Sequence, residues 1–177
     1  MKTTTLLHAD EMARTLERLA SEIIERHGSC EKIALLGIQR RGADLARRLE
    51  ALLEARLERK IPLGTLDINL YRDDWTVLFG KPAIGESAIP FSLDDKEVVL
   101  VDDVLFTGRT IRSALEAILD YGRPSRVELL VLVDRGHREL PIHADYVGRK
   151  VNTARNEHVN VLVSERDAKD EVVLQNE

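Results

Sequence analysis

The sequence is poor in features that would mark a secreted or membrane protein. Its single cysteine, Cys30, cannot form a disulfide bond within the chain, which is typical of a reducing cytoplasm. No run of about eighteen apolar residues occurs, so a membrane-spanning helix is excluded. The first residues, Met1 to Thr5, lack the apolar core of a signal peptide, and we therefore expect a cytoplasmic protein. The net charge of −5 argues against wholesale binding of nucleic acid but leaves room for a local basic patch.

The composition that is present indicates a soluble globular domain. A length of 177 residues is usual for one domain and is enough to bury a core. Apolar residues make up 44% of the chain and charged residues 32%, which excludes disordered and fibrous proteins. There is no internal repeat, low-complexity tract or linker. We expect residues 1–177 to form a single domain.

The most informative stretch begins with four apolar residues, Val98 to Val101, which predict a buried strand of a parallel sheet. Two adjacent carboxylates, Asp102 and Asp103, follow where we expect this strand to end. After a short loop, apolar residues recur at helical spacing from Ile111 to Leu119. The pattern therefore predicts a strand, a loop and the beginning of a helix.

The loop of this unit has the composition of an anion site. At a helix N-terminus, free backbone N–H groups and the positive end of the helix dipole favour an anion. Gly108 permits close approach, the hydroxyls of Thr107 and Thr110 can donate, and Arg109 adds charge. The two carboxylates would repel a phosphate but suit the vicinal hydroxyls of a ribose, because they only accept hydrogen bonds. A sugar phosphate fits the stretch better than a bare anion does, and an ordinary strand-to-helix turn is the alternative.

A second loop of this type lies closer to the start of the chain. A predicted strand over Lys32–Leu36 leads into Gly37-Ile38-Gln39-Arg40-Arg41-Gly42 and then into a helix. The glycine spacing is that of a P-loop, but Ala43-Asp44 stands where Lys-Ser/Thr is required. Because no Gly-x-Gly-x-x-Gly occurs either, Walker and Rossmann nucleotide sites are both excluded. The loop, with Arg40 and Arg41, is suited to pyrophosphate.

The other predicted elements alternate between strand and helix, which favours a parallel sheet. Residues 72–96 have no periodicity, as is usual for a lid or a hairpin. Ligands bind beyond the carboxyl ends of parallel strands, so the polar loops near Arg40, Asp102 and Arg135 are expected to converge on one site. The remaining predicted elements are a helix over Asp10–His27, capped by Asp10, and strands over Leu63–Tyr71, Val127–Val133, Tyr146–Val147, Val159–Val163 and Val172–Leu174.

The stretch from Val98 to Thr110 resembles the phosphoribosyl-pyrophosphate (PRPP) signature of type I phosphoribosyltransferases: an apolar strand, Asp-Asp, three variable residues and Thr-Gly-x-Thr. Two more segments, Asp67 to Asp74 and Val131 to Pro141, resemble those of the pyrimidine operon attenuation regulators that are also uracil phosphoribosyltransferases. This resemblance covers nearly the whole chain. It implies the α/β type I phosphoribosyltransferase fold, a central, mostly parallel sheet flanked by helices. It also implies a flexible loop over about 72–96 and a small hood formed by about 134–177 and the N-terminal residues.

The resemblance also implies roles for individual residues. Arg40 and Arg41 would form the pyrophosphate loop, and Arg72 in the flexible loop would contact pyrophosphate. Arg135 and Val159 would belong to the hood that holds uracil. The expected cofactor is Mg²⁺, chelated mainly by the substrate and not by a metal site of the protein. PRPP would be bound by Asp102, Asp103, Val104, Leu105, Phe106, Thr107, Gly108, Arg109 and Thr110.

Two activities follow from the resemblance. The enzyme would convert uracil and PRPP into UMP and pyrophosphate. The regulator would bind a pyr leader mRNA in response to UMP or UTP and so attenuate transcription, with Arg18, Arg26 and Arg155 as RNA-binding residues. A homo-oligomer, dimeric or larger, is also expected. Glu17 would repel an RNA backbone, so a plain uracil phosphoribosyltransferase without RNA binding is the alternative, and a transferase for another base is the third interpretation.

Overall fold

The computed structural model of the protein describes residues 2–73 and 86–176. Residues 74–85, the centre of the predicted flexible loop, lie outside the described residues. No helix in the described part of the chain is both long and apolar enough to cross a membrane. In chain order the elements are β1 (Lys2–His8), α1 (Ala9–His27), β2 (Ile33–Ile38), α2 (Arg41–Leu57), β3 (Leu63–Leu66), a 3-10 turn (Asn69–Tyr71), β4 (Glu97–Leu105), α3 (Arg109–Ile118), β5 (Arg126–Asp134), β6 (Tyr146–Lys150), β7 (Glu157–Leu162), α4 (Ser164–Asp167) and β8 (Glu171–Asn176).

The centre of the fold is a five-stranded sheet in the order β3-β2-β4-β5-β6, and its pairings are all parallel. Helices α1 and α2 cover one face, and α3 covers the other. The run from Val98 to Val101 is completely buried because both faces are covered. The predicted α/β architecture, with a parallel central sheet flanked by helices, is confirmed.

A small antiparallel sheet, in the order β1-β8-β7, joins the two ends of the described chain. Its apolar side chains, including Val161 and Val172, pack into the same core as α1 and α2. The resemblance implies that the N-terminal residues belong to a hood, but no strand is predicted there from the sequence. The threonine-rich segment Thr3–Thr5 is extended because β8 supplies its hydrogen-bond partners.

The predicted start of α1 and the predicted end of β3 are both wrong. Asp10 does not cap α1: the helix begins one residue earlier, and the backbone N–H of His8 donates to Glu11 Oε2 at 2.9 Å. The strand predicted over Leu63–Tyr71 ends at Leu66. Beyond it, the backbone N–H of Asn69 donates to Asp67 Oδ1 at 2.9 Å, and this side-chain turn replaces the extended conformation.

Candidate active site

The two adjacent carboxylates lie inside β4 and not after its end, which corrects the predicted boundary. Parallel pairing with β5 continues as far as Leu105, opposite Asp134. The backbone N–H of Asp103 donates to Asp102 Oδ1 at 2.9 Å, and that of Val104 donates to Asp103 Oδ1 at 2.8 Å. Backbone amides therefore fix both side chains in place before any ligand arrives.

The electrostatics of this carboxylate pair are unfavourable. Asp102 is only 6% exposed, and among the described residues no cation forms an ion pair with it or with Asp103. Burial raises the pKa of Asp102 well above its usual value, and repulsion from Asp103 adds to the effect. Burial also raises the pKa of Asp103, against the opposing influence of its hydrogen bonds and of Arg41. Such a pair is stabilised by hydroxyl donors or by a cation.

The loop after β4 opens onto a cleft of about 310 Å³. Gly108 has φ of 93°, in the left-handed region, and a Cβ at this position would lie 3.1 Å from Ile142 Cβ. Helix α3 starts at the next residue, and the first N–H groups of a helix have no acceptor within it. The cleft is lined by Arg72, Asp73, Val104, Leu105, Phe106, Thr107, Gly108, Arg109, Thr110, Ile111 and Ser113.

Arg109 is held at the rim of this cleft by two carboxylates. Its Nη1 lies 2.6 Å from Asp73 Oδ2, and its Nε lies 2.9 Å from Glu139 Oε2. These bonds, with Glu139 first, raise the pKa of Arg109. The backbone N–H of Glu139 donates to Thr107 O at 2.9 Å. Glu139 therefore fastens the loop at two points, a contact that the sequence did not suggest.

The loop that carries Arg40 and Arg41 lies directly against the carboxylate pair. A Cβ at Gly42 would stand 2.5 Å from Val101 O and 3.1 Å from Asp102 Cα, so only glycine allows this approach. The peptide bond between Gln39 and Arg40 is cis. Arg40 is exposed and pairs with no described residue, whereas Arg41 forms an ion pair with Asp167 at 3.0 Å. Two of the three predicted loops are thus neighbours, as expected.

The third polar loop, which begins at Arg135, contacts Phe106 in the loop that follows β4. The guanidinium of Arg135 stacks over the Phe106 ring at 3.9 Å, and the His137 ring meets it edge-on at 5.9 Å. Arg138 donates to Phe106 O at 2.7 Å. Arg135 is buried and donates to Ala154 O at 3.1 Å, while its Nε has no acceptor among the described residues. The predicted convergence of three loops is present in the fold.

Next to this loop is a second cleft, of about 380 Å³, lined by residues 134–138 and 150–153. Val159, which is also expected in the uracil-binding hood, lies on β7 and is 9% exposed in the main core. Its side chain packs against apolar neighbours, which leaves only its backbone for polar contacts.

The three arginines predicted to bind RNA do not lie together. Arg18 pairs with Glu22 at 2.5 Å and donates to Gly148 O, also at 2.5 Å. Arg26 stacks over the ring of Tyr146, the first residue of β6, at 4.6 Å. Arg155 instead pairs with Glu139 beside the first cleft. Arg18 and Arg26 therefore share the side formed by α1 and β6, and Arg155 lies near the opposite, carboxyl end of the sheet.

Comparisons with known proteins agree with this geometry. Residues 2–166 match the phosphoribosyl transferase domain. The chain is 52% identical to the bifunctional protein PyrR of Syntrophobacter fumaroxidans over 96% of its own length and 91% of that protein. It is 53% identical to the bifunctional protein PyrR of Thermus aquaticus over 96% and 93% of the two lengths. The solved hypoxanthine phosphoribosyltransferase of Trypanosoma cruzi is 14% identical with a TM-score of 0.73, covering 98% of this chain and 96% of that one. That likeness shows the fold.

Proposed function

We propose a function from the premise that the chain belongs to the phosphoribosyl transferase domain family and, within it, to the bifunctional PyrR proteins. The protein transfers the phosphoribosyl group of PRPP to uracil, giving UMP and pyrophosphate. It also binds the leader mRNA of a pyrimidine operon in response to uridine nucleotides and so attenuates transcription. Residues 1–177 act as one domain, with the small sheet as part of the hood.

The observation that carries the enzymatic proposal is the buried carboxylate pair, which forms no ion pair with any described residue. Asp102 and Asp103 accept hydrogen bonds from the two ribose hydroxyls of PRPP, because hydroxyl groups donate to buried carboxylates without bringing another charge into the site. The first turn of α3 and the hydroxyls of Thr107 and Thr110 bind the 5-phosphate. The carboxylates, which would repel a phosphate, then lie at the hydroxyl end of the sugar phosphate. The groups that attract a phosphate lie at its other end.

The reaction breaks the bond between the anomeric carbon and pyrophosphate while a uracil nitrogen bonds to that carbon and loses its proton to the released pyrophosphate or to water. Positive charge develops on the sugar ring and negative charge on pyrophosphate. The carboxylates face the former, and Arg40 and Arg41, with Arg72 from the other side of the cleft, stabilise the latter. Magnesium, held mainly by oxygens of PRPP, would neutralise leaving-group charge. The carboxylate pair, which is unpaired among the residues that the structure describes, would suit a magnesium ion carried by the substrate.

Uracil occupies the second cleft, next to the Phe106 ring. The buried Nε–H of Arg135 has no acceptor in the described part of the chain, and it suits a carbonyl oxygen of the base. The backbone around Val159 supplies the hood on this side. No side chain needs to form a covalent intermediate, and His137, bonded to Thr153 O at 2.7 Å, serves as a structural contact.

The enzymatic proposal is tested by supplying PRPP, magnesium and one base at a time. UMP and pyrophosphate should form with uracil in equal amounts, and hypoxanthine, the base named for the solved neighbours, should give no product. Product from hypoxanthine but not from uracil would replace this proposal by a transferase for another base.

The regulatory proposal is tested by filter binding with a pyr leader RNA and an unrelated hairpin of equal length. Binding should favour the leader, become stronger with UMP or UTP, and weaken steeply with salt, because phosphate contacts release counterions. Equal affinity for both RNAs would leave a plain uracil phosphoribosyltransferase. The cytoplasmic location and the homo-oligomer stay predictions.

A further inference from the structure

A row of arginine–carboxylate pairs joins the small sheet to the main domain. Its basic members on α2, Arg41 and Arg48, lie seven residues apart, two helical turns along the same face. Their acidic partners lie on and just after α4, which connects β7 to β8, and one further pair has the reverse polarity, with its arginine on α4 and its carboxylate on α2. The pairs are Arg41 with Asp167, Arg166 with Asp44, and Arg48 with Glu165 and Asp170.

Asp167, the member of this row that pairs with Arg41, is held by hydrogen bonds from two sides. Arg41 Nη2 donates to its two carboxylate oxygens at 3.0 and 3.2 Å. The backbone N–H of Val163 donates to Asp167 Oδ2 at 2.9 Å, and the N–H of Asp167 donates to Val163 O at 2.7 Å. The hydrogen bond from Val163, and then the one from Arg41, lower the pKa of Asp167. The carboxylate is thus ionised and anchored to its own turn.

Arg41 connects this anchored carboxylate to the substrate site. It is the first residue of α2, and the next residue, Gly42, abuts Asp102. Its Nε is buried and has no acceptor among the described residues, although its Nη2 is fully engaged by Asp167. A guanidinium held through Nη2, with an unpaired Nε–H, is suited to donating a hydrogen bond to an oxygen of a ligand bound against this loop.

We propose that Asp167 is a positioning residue that holds Arg41 so that its unpaired Nε–H donates to the pyrophosphate. This inference rests on the proposed function, in which Arg41 belongs to the pyrophosphate loop. It adds that the small sheet, through α4, sets the geometry of the leaving-group site. An arginine held in advance loses less conformational entropy when it binds an anion.

The test is Asp167→Asn, assayed in the reverse direction with UMP and pyrophosphate. Asparagine keeps an oxygen for the N–H of Val163 but loses the charge that holds Arg41. We expect the KM for pyrophosphate to rise about tenfold, the factor for one charge-assisted hydrogen bond, while the KM for UMP changes by less than about twofold.

Asp170→Asn is a matched control. Asp170 also accepts from a backbone N–H of α4, that of Ser164 at 2.7 Å, and it also pairs with an arginine of α2. Its partner, Arg48, lies two turns farther along the helix from Asp102. This variant should lose as much thermal stability as Asp167→Asn and keep the KM for pyrophosphate of the unmodified protein.

Asp167→Glu keeps the charge but moves it by one methylene, so a rise of about two- to fivefold is expected. This variant tests the inference even where Asp167→Asn does not fold. If every Asp167 variant that folds has the same KM for pyrophosphate as the unmodified protein, the inference is overturned. It is also overturned if the KM for pyrophosphate rises as much in Asp170→Asn as in the Asp167 variants. Absence of pyrophosphate-dependent cleavage of UMP in the unmodified protein would instead overturn the proposed function.

Discussion

Two buried aspartates with opposite surroundings provide a sharp test of the site. Asp102 is 6% exposed and faces another carboxylate, whereas Asp44 is 4% exposed and pairs with Arg47 and Arg166. Asparagine removes the charge at either position with almost no change of shape. We expect Asp102→Asn to stabilise the fold while it impairs catalysis, and Asp44→Asn to destabilise the fold.

The loss of activity in Asp102→Asn has two parts. The amide keeps only a neutral hydrogen bond to a ribose hydroxyl, which costs about 1 kcal/mol. It also removes negative charge that faces the sugar as positive charge develops there, and such groups contribute roughly 3 kcal/mol in other enzymes. We therefore expect kcat/KM to fall by roughly 10²- to 10³-fold. Replacing Asp103 by asparagine as well should abolish UMP formation and leave the fold intact.

The gain in stability follows from the raised pKa of Asp102. Between the ordinary and the raised pKa, the folded state holds a proton that the unfolded state has lost, so the free energy of unfolding falls as the pH rises. Asp102→Asn avoids this loss. At about pH 7 it should be more stable by about 1 kcal/mol, or 2–4 °C in Tm for a chain of this size. The advantage should shrink as the pH is lowered toward the ordinary value of 3.8.

Urea unfolding at several pH values, beside a UMP assay, measures both effects. Asp44→Asn should lose about 1–3 kcal/mol, because it leaves Arg166 without its partner. If Asp102→Asn is less stable than the unmodified protein at neutral pH, the charge of Asp102 does not destabilise the folded protein. If its kcat/KM is unchanged, Asp102 does not face the ribose.

Three further predictions concern other parts of the molecule. Arg40→Ala should lower kcat/KM about a hundredfold by weakening contact with the leaving pyrophosphate, and a change below about twofold would make its loop only a turn. Arg18→Glu should weaken binding of leader RNA in a filter assay and leave UMP synthesis intact, while Glu17→Ala should keep or improve the affinity for RNA. If Arg18→Glu binds the leader more tightly than Glu17→Ala does, α1 is not part of the RNA-binding surface. Tyr146→Phe removes a 2.6 Å hydrogen bond to buried Glu128 and should cost about 1.5–3 kcal/mol in a thermal melt without loss of activity, since Tyr146 starts β6 at the sheet end away from the clefts.

The sequence predicts the central sheet well because its strands are continuous apolar runs. It misplaces the end of β4, since Asp102 and Asp103 interrupt the apolar pattern while the hydrogen bonds to β5 continue to Leu105. It misses β1 for a related reason. A run of threonines alone does not predict a strand, and β8, the strand that pairs with this segment, lies at the far end of the sequence.

The same limit applies to the candidate site. Convergence of the three loops is predictable, because a parallel sheet brings the carboxyl ends of its strands to one edge. The contacts that fix the loops are not. Arg41 and Asp167 are 126 residues apart, and Arg109 and Glu139 are 30 apart, and each pair is one of many possible pairings of opposite charges in a highly charged chain. Only the folded chain selects among them.

The pairing of β1 with β8 has a consequence for the order in which the protein folds during synthesis. The side chains of Thr5 and Glu171, 166 positions apart, are hydrogen-bonded at 2.8 Å. As the ribosome releases the chain from its N-terminus, the five parallel strands can assemble once β6 has emerged. Strand β1, made first, stays without a partner until β8 leaves the exit tunnel. The small sheet is therefore completed last, and its unpaired first strand is exposed to other nascent chains until then.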